Sequence, residues 1–381
     1  MTMRWQRLSI HFVSTAVAAI LTLQLTGCTP RQQEPIVAPW GEIVNSSSSD
    51  SKPEDDDFDL EQIQAGGELI VLTLTGPDTY YDYHGRHLGA QYMLAQRFAN
   101  FLGVGLRVEV CRDSTEMTTR LSQGDADLIA YPITGKGAGW LVGDDKEQLS
   151  EELQQWYKPE LLDEVKREEQ LLLTERRVKR HVFAPMLNRK GGIISRYDGL
   201  FIEYSRQIRW DWRLMAAQCY QESTFDPQAV SFAGAKGLMQ IMPSTADHLG
   251  LPNDKLFEPE SNIAAATRYL AEIEGKLQDI PSRRERLKFV LACYNGGYHH
   301  VSDARALARR DGKDDRRWNE VADYVLKLAT PQYYNDPIVK HGYMRGSETV
   351  DYVEKIMARW QSYHDVKTPR TGYQLRKHKK T

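Results

Sequence analysis

The chain has 381 residues, a formal net charge of −3, and a composition 41% hydrophobic and 27% charged. That length supports two domains with their own cores, and the near-balanced charge excludes the basic footprint of a general nucleic-acid binder. The four cysteines form no Cys-x-x-Cys, no Cys/His spacing suits a structural metal, and the adjacent His299-His300 make a poor chelating pair, so neither metal nor cofactor is expected.

Arg4 and Arg7 precede a mostly apolar stretch from Leu8 to Leu25. This pattern predicts a signal peptide over residues 1–27, too short and too polar for a transmembrane helix. Its end, Leu25-Thr26-Gly27-Cys28, resembles a bacterial lipoprotein box. The resemblance implies cleavage before Cys28 and lipidation of its thiol; an ordinary signal peptide with an incidental Cys is the alternative. Several acyl chains on one Cys give stable anchoring. Thr29 in place of Asp implies the outer membrane, with the protein facing the periplasm. Residues 28–66, with Pro30, Pro35, Pro39, a serine run and Glu54-Asp55-Asp56-Asp57, read as a disordered tether.

Residues 67–160 read as a small α/β lobe. Glu68 to Leu74 is an apolar strand, Gly89 to Leu102 an amphipathic helix, Leu106 to Val110 a second strand, Ser114 to Gln123 a second helix, and Ala126 to Tyr131 a third strand. Strand–helix alternation of this kind predicts a parallel sheet. The pattern resembles the first lobe of periplasmic solute-binding proteins. A second lobe is inserted there at this point, typically on the order of a hundred residues. In this chain Pro132-Ile133-Thr134 runs directly into Ala138 to Val142 and a helix pattern over Leu149 to Tyr157, which resembles the return into the first lobe. The second lobe therefore reads as deleted, which puts small-ligand binding by the lobe in doubt. An alternative alignment matches Thr174-Glu175-Arg176-Arg177 to the ligand arginine of that fold, with residues 135–170 as an insertion.

Residues 161–195 are charged and read as a helical linker or strut. An all-α domain follows over 196–365. Asp211 suits the N-cap of a helix ending near Glu222, Pro243 the first turn of a helix closed by Gly250, and Ser282-x-x-Glu285 a capping box before a helix closed by Gly296-Gly297. Trp318 and Tyr333-Tyr334 are candidates for lining a groove, with a core Trp equally compatible. Cys219 and Cys293 lie close enough in this pattern to pair, although buried free thiols are the expected state. Residues 366–381 form a basic tail, read either as solvated or as a weak electrostatic tether.

Glu222-Ser223 at a helix end, Ser231, Gly234-Ala235-Lys236-Gly237-Leu238-Met239-Gln240, Tyr294-Asn295-Gly296-Gly297 and Glu348-Thr349 with Tyr352-Val353 occur in that order. Together they resemble the soluble-lytic-transglycosylase fold, lysozyme-like, with Pro331 to Pro337 and Gly342 to Gly346 similar to the membrane-bound F type. The resemblance covers roughly residues 196–362. It implies cleavage of peptidoglycan glycan strands between N-acetylmuramic acid and N-acetylglucosamine, with Glu222 as the catalytic acid. A helix C-terminus and apolar neighbours both favour the protonated acid that such chemistry requires. Ser231, Met239, Gln240, Tyr294, Asn295, Glu348 and Tyr352 are the substrate-binding residues that the resemblance implies. With no second catalytic carboxylate in the motifs, the expected product carries a 1,6-anhydro ring. A goose-type hydrolase and a non-catalytic peptidoglycan-binding lipoprotein are the alternatives. Apart from the glycan and the anchoring membrane, no protein partner is legible.

Overall fold

The computed structural model describes residues 58–134, 137–174, 188 and 192–367. The signal segment, Cys28, most of the tether, the 175–177 part of the alternative arginine motif and the basic tail from 368 lie outside the described residues.

In chain order the N-terminal lobe comprises α1 (Leu60–Gly66), β1 (Glu68–Leu74), β2 (Tyr81–Tyr83), β3 (Arg86–Leu88), α2 (Ala90–Leu102), β4 (Gly105–Cys111), α3 (Ser114–Ser122), β5 (Leu128–Ile129), β6 (Leu141–Val142), α4 (Glu147–Trp156) and α5 (Pro159–Thr174). The sheet order is β4-β1-β5-β6. As expected, β1 runs parallel to β4, from Glu68 opposite Gly105 to Leu74 opposite Cys111, and parallel to β5. The sheet is nevertheless mixed, because β6 pairs antiparallel with β5. The cause is the intervening turn, in which the N–H groups of Ile133 and Thr134 both donate to the Gly139 carbonyl at 2.7 and 2.9 Å. So short a connection cannot make the crossover that a parallel neighbour requires.

Three further features depart from the sequence reading. Residues 59–66, expected in the tether, are ordered as α1. Asp59 caps it in a capping box with Gln62, and its carboxylate also accepts from the Gln148 and Leu149 N–H groups at 2.7 and 3.0 Å, so one side chain starts two helices. The expected linker begins inside α5. That charged helix buries Val165 in the lobe core and binds α2 through Arg97, paired with Glu164 and Glu168 at 2.9 and 2.8 Å. Finally, β2 and β3 form an unforeseen antiparallel hairpin. Its two-residue turn, His84-Gly85, has φ of 50° and 73°, the left-handed pair that matches the twist of a tight hairpin.

The helical domain comprises α6 (Asp198–Gln207), α7 (Trp212–Ser223), α8 (Pro243–His248), α9 (Pro259–Gly275), α10 (Arg283–Gly296), α11 (Tyr298–Arg310), α12 (Trp318–Lys327), α13 (Pro331–Tyr334) and α14 (Gly346–Ser362). Helix α14 packs against both α7 and α10, around a core that includes Phe201, Leu214, Met215, Phe289 and Ile356, all fully buried. Burial of each such side chain stabilises the fold by about 1.5–3 kcal/mol. Asp211 caps α7 as expected, accepting from the Arg213 N–H at 3.0 Å. Ser282 caps α10, but Glu285 does not close the box; its carboxylate accepts from the Trp318 N–H at 2.7 Å and so fastens α12 to α10. Trp318 is a core residue, edge-on to Phe289 at 5.4 Å, and does not line a groove. Cys111, Cys219 and Cys293 are all buried free thiols. No described helix is long and apolar enough to cross a membrane.

Candidate active site

Glu222 lies in the last turn of α7, and the chain reverses immediately after it. Thr224 and Phe225 both have left-handed backbones, with φ of 56° and 64°. Such conformations cost on the order of 1–3 kcal/mol each for non-glycine residues and persist only where the surroundings hold them. Here the Thr224 N–H donates to the Tyr220 carbonyl at 3.0 Å, the Ser223 hydroxyl donates to the Leu238 carbonyl at 2.7 Å, and Phe225 packs between Phe201 and Tyr220. The reversal brings loop 226–242 back alongside Glu222.

That loop is self-supporting. Ser231 and Ala235 exchange hydrogen bonds, with the Ala235 N–H donating to the Ser231 hydroxyl oxygen at 3.0 Å. Gly237 has φ of 80°, and a Cβ there would lie 2.5 Å from Asn262 Nδ2, so only glycine fits. Asn262 is buried on α9 and ties the loop to the segment before that helix: Oδ1 accepts from the Met239 N–H at 2.8 Å, and Nδ2 donates to the Lys236 and Leu256 carbonyls at 3.0 and 2.8 Å. Nothing in the sequence reading singled out Asn262.

Met239 requires a correction. Its side chain is fully buried in the helical core and does not line the cleft; what it offers the site is its carbonyl, which accepts from the Tyr294 hydroxyl at 2.7 Å. An apolar side chain in a glycine-rich loop turns inward for the usual hydrophobic reason. Gln240 lines the cleft with φ of 48°; its Nε2 donates to the Ala229 and Gly237 carbonyls at 3.1 and 2.9 Å, while its buried Oε1 has no hydrogen-bond partner among the described residues.

Helices α10 and α14 supply the opposite side. The Tyr352 hydroxyl donates to Glu222 Oε1 and itself accepts from Gln218 Nε2 at 3.2 Å. The Thr349 hydroxyl donates to Asn295 Oδ1 at 2.9 Å. Burial, and then the neighbouring Glu222 carboxylate, hold the Tyr294 and Tyr352 phenols well above their usual range, so both stay protonated beside Glu222. Gln218 and Thr349 are supporting residues that the sequence reading did not name.

Glu222, Ser231, Gln240, Tyr294, Asn295, Glu348 and Tyr352 all border one cleft of about 1510 Å³. Tyr334 also borders it, whereas Tyr333 packs toward Tyr324. The N-terminal lobe contributes lining residues too, among them Tyr83, His84 and Arg112. Among the described residues no group of three or more His, Cys, Asp or Glu is disposed to hold a metal ion.

Glu222 thus ends a helix, accepts from Tyr352 and borders the cleft. Residues 199–317 match the family described as Transglycosylase SLT domain. The chain is 42% identical over 173 residues to the Membrane-bound lytic murein transglycosylase F of Desulfosudis oleivorans, a match covering 45% of this chain and 36% of that protein. The shared stretch thus spans about a third of that relative. The protein of the same name from an Enterobacter species is 28% identical over 416 positions, covering 78% of this chain and 79% of its own length. Among solved structures, the 70 kDa soluble lytic transglycosylase SLT70 of Escherichia coli is similar at 26% identity with a TM-score of 0.32, over 44% of this chain and 24% of that one.

Proposed function

We propose that this chain is a peptidoglycan lytic transglycosylase with Glu222 as its single acid and base. The observation that carries this reading is the Tyr352–Glu222 hydrogen bond at the border of the cleft. With Oε1 accepting from Tyr352, the transferable proton belongs on Oε2. It passes to the oxygen linking N-acetylmuramic acid to N-acetylglucosamine as the bond from that oxygen to C1 breaks, with the substrate N-acetyl group supporting the cationic centre. The muramic C6 hydroxyl then attacks C1 and returns its proton to Glu222, which closes the 1,6-anhydro ring without consuming water. Glu348, the motif's other carboxylate, has Oε2 engaged by Tyr83 and His84 and Oε1 near Arg345, which supports a binding role over activation of water. Ser231, Gln240, Tyr294 and Asn295 are the remaining glycan-binding residues in this reading, and the names of the relatives support peptidoglycan as the substrate. Digestion of purified murein followed by mass analysis tests the proposal. Anhydro ends are expected; reducing ends would instead indicate a goose-type hydrolase, and no release a binding protein.

The N-terminal lobe fits one half of a solute-binding protein whose second half is missing. The Enterobacter relative aligns over 416 positions with only 78% of this chain, so within the aligned span it carries on the order of a hundred residues more, in total about the size of a small domain. We further propose domain limits near 59–174 and 196–365, and a lipid anchor on Cys28 in the outer membrane. Replacement of Cys28 by Ala should abolish acylation; a mature protein that still carries acyl mass would remove the anchor from this site.

A further inference from the structure

The β2–β3 hairpin reaches out of the N-terminal lobe into the glycan cleft of the helical domain. At its tip the Tyr83 hydroxyl donates to Glu348 Oε2 at 2.5 Å, and His84 Nε2 lies 3.5 Å from the same oxygen. Arg345 completes the clamp, with Nε 3.4 Å from Glu348 Oε1 and its guanidinium 5.5 Å over the Tyr83 ring. The other side of the tip holds the loop that follows Glu222. Tyr83 stacks on Phe232 at 5.8 Å, Arg86 donates to the Phe232 carbonyl at 2.9 Å, and a Cβ on Gly85 would lie 3.2 Å from Met242. The hairpin therefore bridges both walls of the cleft.

Its base is fixed as firmly. The Tyr81 hydroxyl donates to buried Glu169 at 2.9 Å, the Tyr81 ring meets Tyr343 edge-on at 5.1 Å, and the Tyr343 N–H donates to Thr75 Oγ1 at 3.0 Å. His84 holds a left-handed backbone, φ 50°, which histidine adopts more readily than most non-glycine residues and which the tight turn requires.

We propose that this hairpin is a functional part of the glycan site, with Tyr83 and His84 as positioning residues that fix the Glu348 carboxylate for substrate. The lobe then builds the active site directly, whether or not it binds a ligand of its own. This inference rests on the glycan-cleaving reading, and its test separates the two.

The full chain carrying Glu222→Gln, which removes turnover, is titrated with purified murein sacculi, and Tyr83→Phe is added to it. The substitution keeps the ring on Phe232 and deletes one hydrogen bond to a carboxylate, so binding should weaken about tenfold. His84→Asn keeps the turn and should weaken it less. Combined with Glu348→Gln, Tyr83→Phe should have little further effect, because both act through one carboxylate. In the active chain Tyr83→Phe should raise KM with kcat within about twofold. Binding within twofold of the parent, losses that simply add, or a fall in kcat at constant KM would each overturn the proposal. Absence of anhydro products from the unmutated chain would sink the reaction assignment alone, since the binding comparison still decides the hairpin.

Discussion

The Tyr294 hydroxyl donates to the Met239 carbonyl at 2.7 Å, and so ties the Tyr-Asn-Gly-Gly end of α10 to the glycine-rich loop beside Glu222. Two motifs separated by more than fifty residues are thereby one structural unit. The bond is made by a phenol that burial and Glu222 keep protonated. Replacement of Tyr294 by Phe would leave the Met239 carbonyl without that donor, at a cost of about 1–3 kcal/mol. The expected outcome is a lower thermal midpoint together with a roughly tenfold loss of murein cleavage. A midpoint and activity both equal to the parent would show that the loop does not depend on this bond.

Glu222→Gln keeps the side-chain shape and its capacity to accept from Tyr352, but removes the proton that must be transferred. Muropeptide release should fall by roughly 10²–10⁴. The variant should still fold and still bind sacculi. Release near the parental rate would assign the chemistry elsewhere.

Gly237→Ala tests the loop's backbone. With φ of 80° and a Cβ position 2.5 Å from Asn262 Nδ2, alanine is strained twice, by conformation and by contact. A loss of about 2–4 kcal/mol is expected, because the Asn262 network must shift to admit a methyl group. Chemical denaturation measures it, and a change below about 0.5 kcal/mol would mean that the loop relaxes freely.

What the sequence made legible was largely local. The continuous apolar run of β1 and the helical spacing of α2 gave those elements nearly their observed limits. The Asp211 and Ser282 caps were readable because a cap is a contact within three residues. The place of Glu222 at a helix end was readable from where the apolar pattern stops. For Met239 the motif resemblance outweighed its apolar character, which by itself favours burial. Helix α5 was obscured by its charge, although Val165 and its neighbours form an inward stripe. The Tyr83–Glu348 contact joins residues 265 positions apart, and no local pattern encodes such a meeting. The hairpin itself had a signal in the alternation of Tyr81, Tyr83 and Leu88 around His84-Gly85. Asn262 had none, since its contacts with Met239, Lys236 and Leu256 exist only once α9 is packed.

Asp211 makes the stability of the helical domain sensitive to acid. Burial alone would raise its pKa, but the Arg213 side chain and N–H and the Trp360 indole N–H outweigh that effect and hold it below the usual aspartate range. Arg213 Nη2 and Trp360 Nε1 donate to Oδ2 at 2.8 and 3.0 Å, and Arg213 also reaches the His364 and Val366 carbonyls, so the pair fastens the start of α7 to the end of the domain. A carboxylate with a depressed folded pKa contributes stability that is complete above its unfolded value of about 3.9 and is lost as pH falls through the lower folded value. Asp211→Asn should therefore cost about 1–2 kcal/mol at pH 6, from the lost charge at a helix N-terminus and the weakened arginine pair. That cost should shrink steadily below pH 4, where the parental carboxylate also becomes neutral. Urea unfolding of both proteins across pH 6 to 2 reads the difference directly. A gap between them that stays constant over this range would show that shape or packing, and not the Asp211 charge, carries the effect.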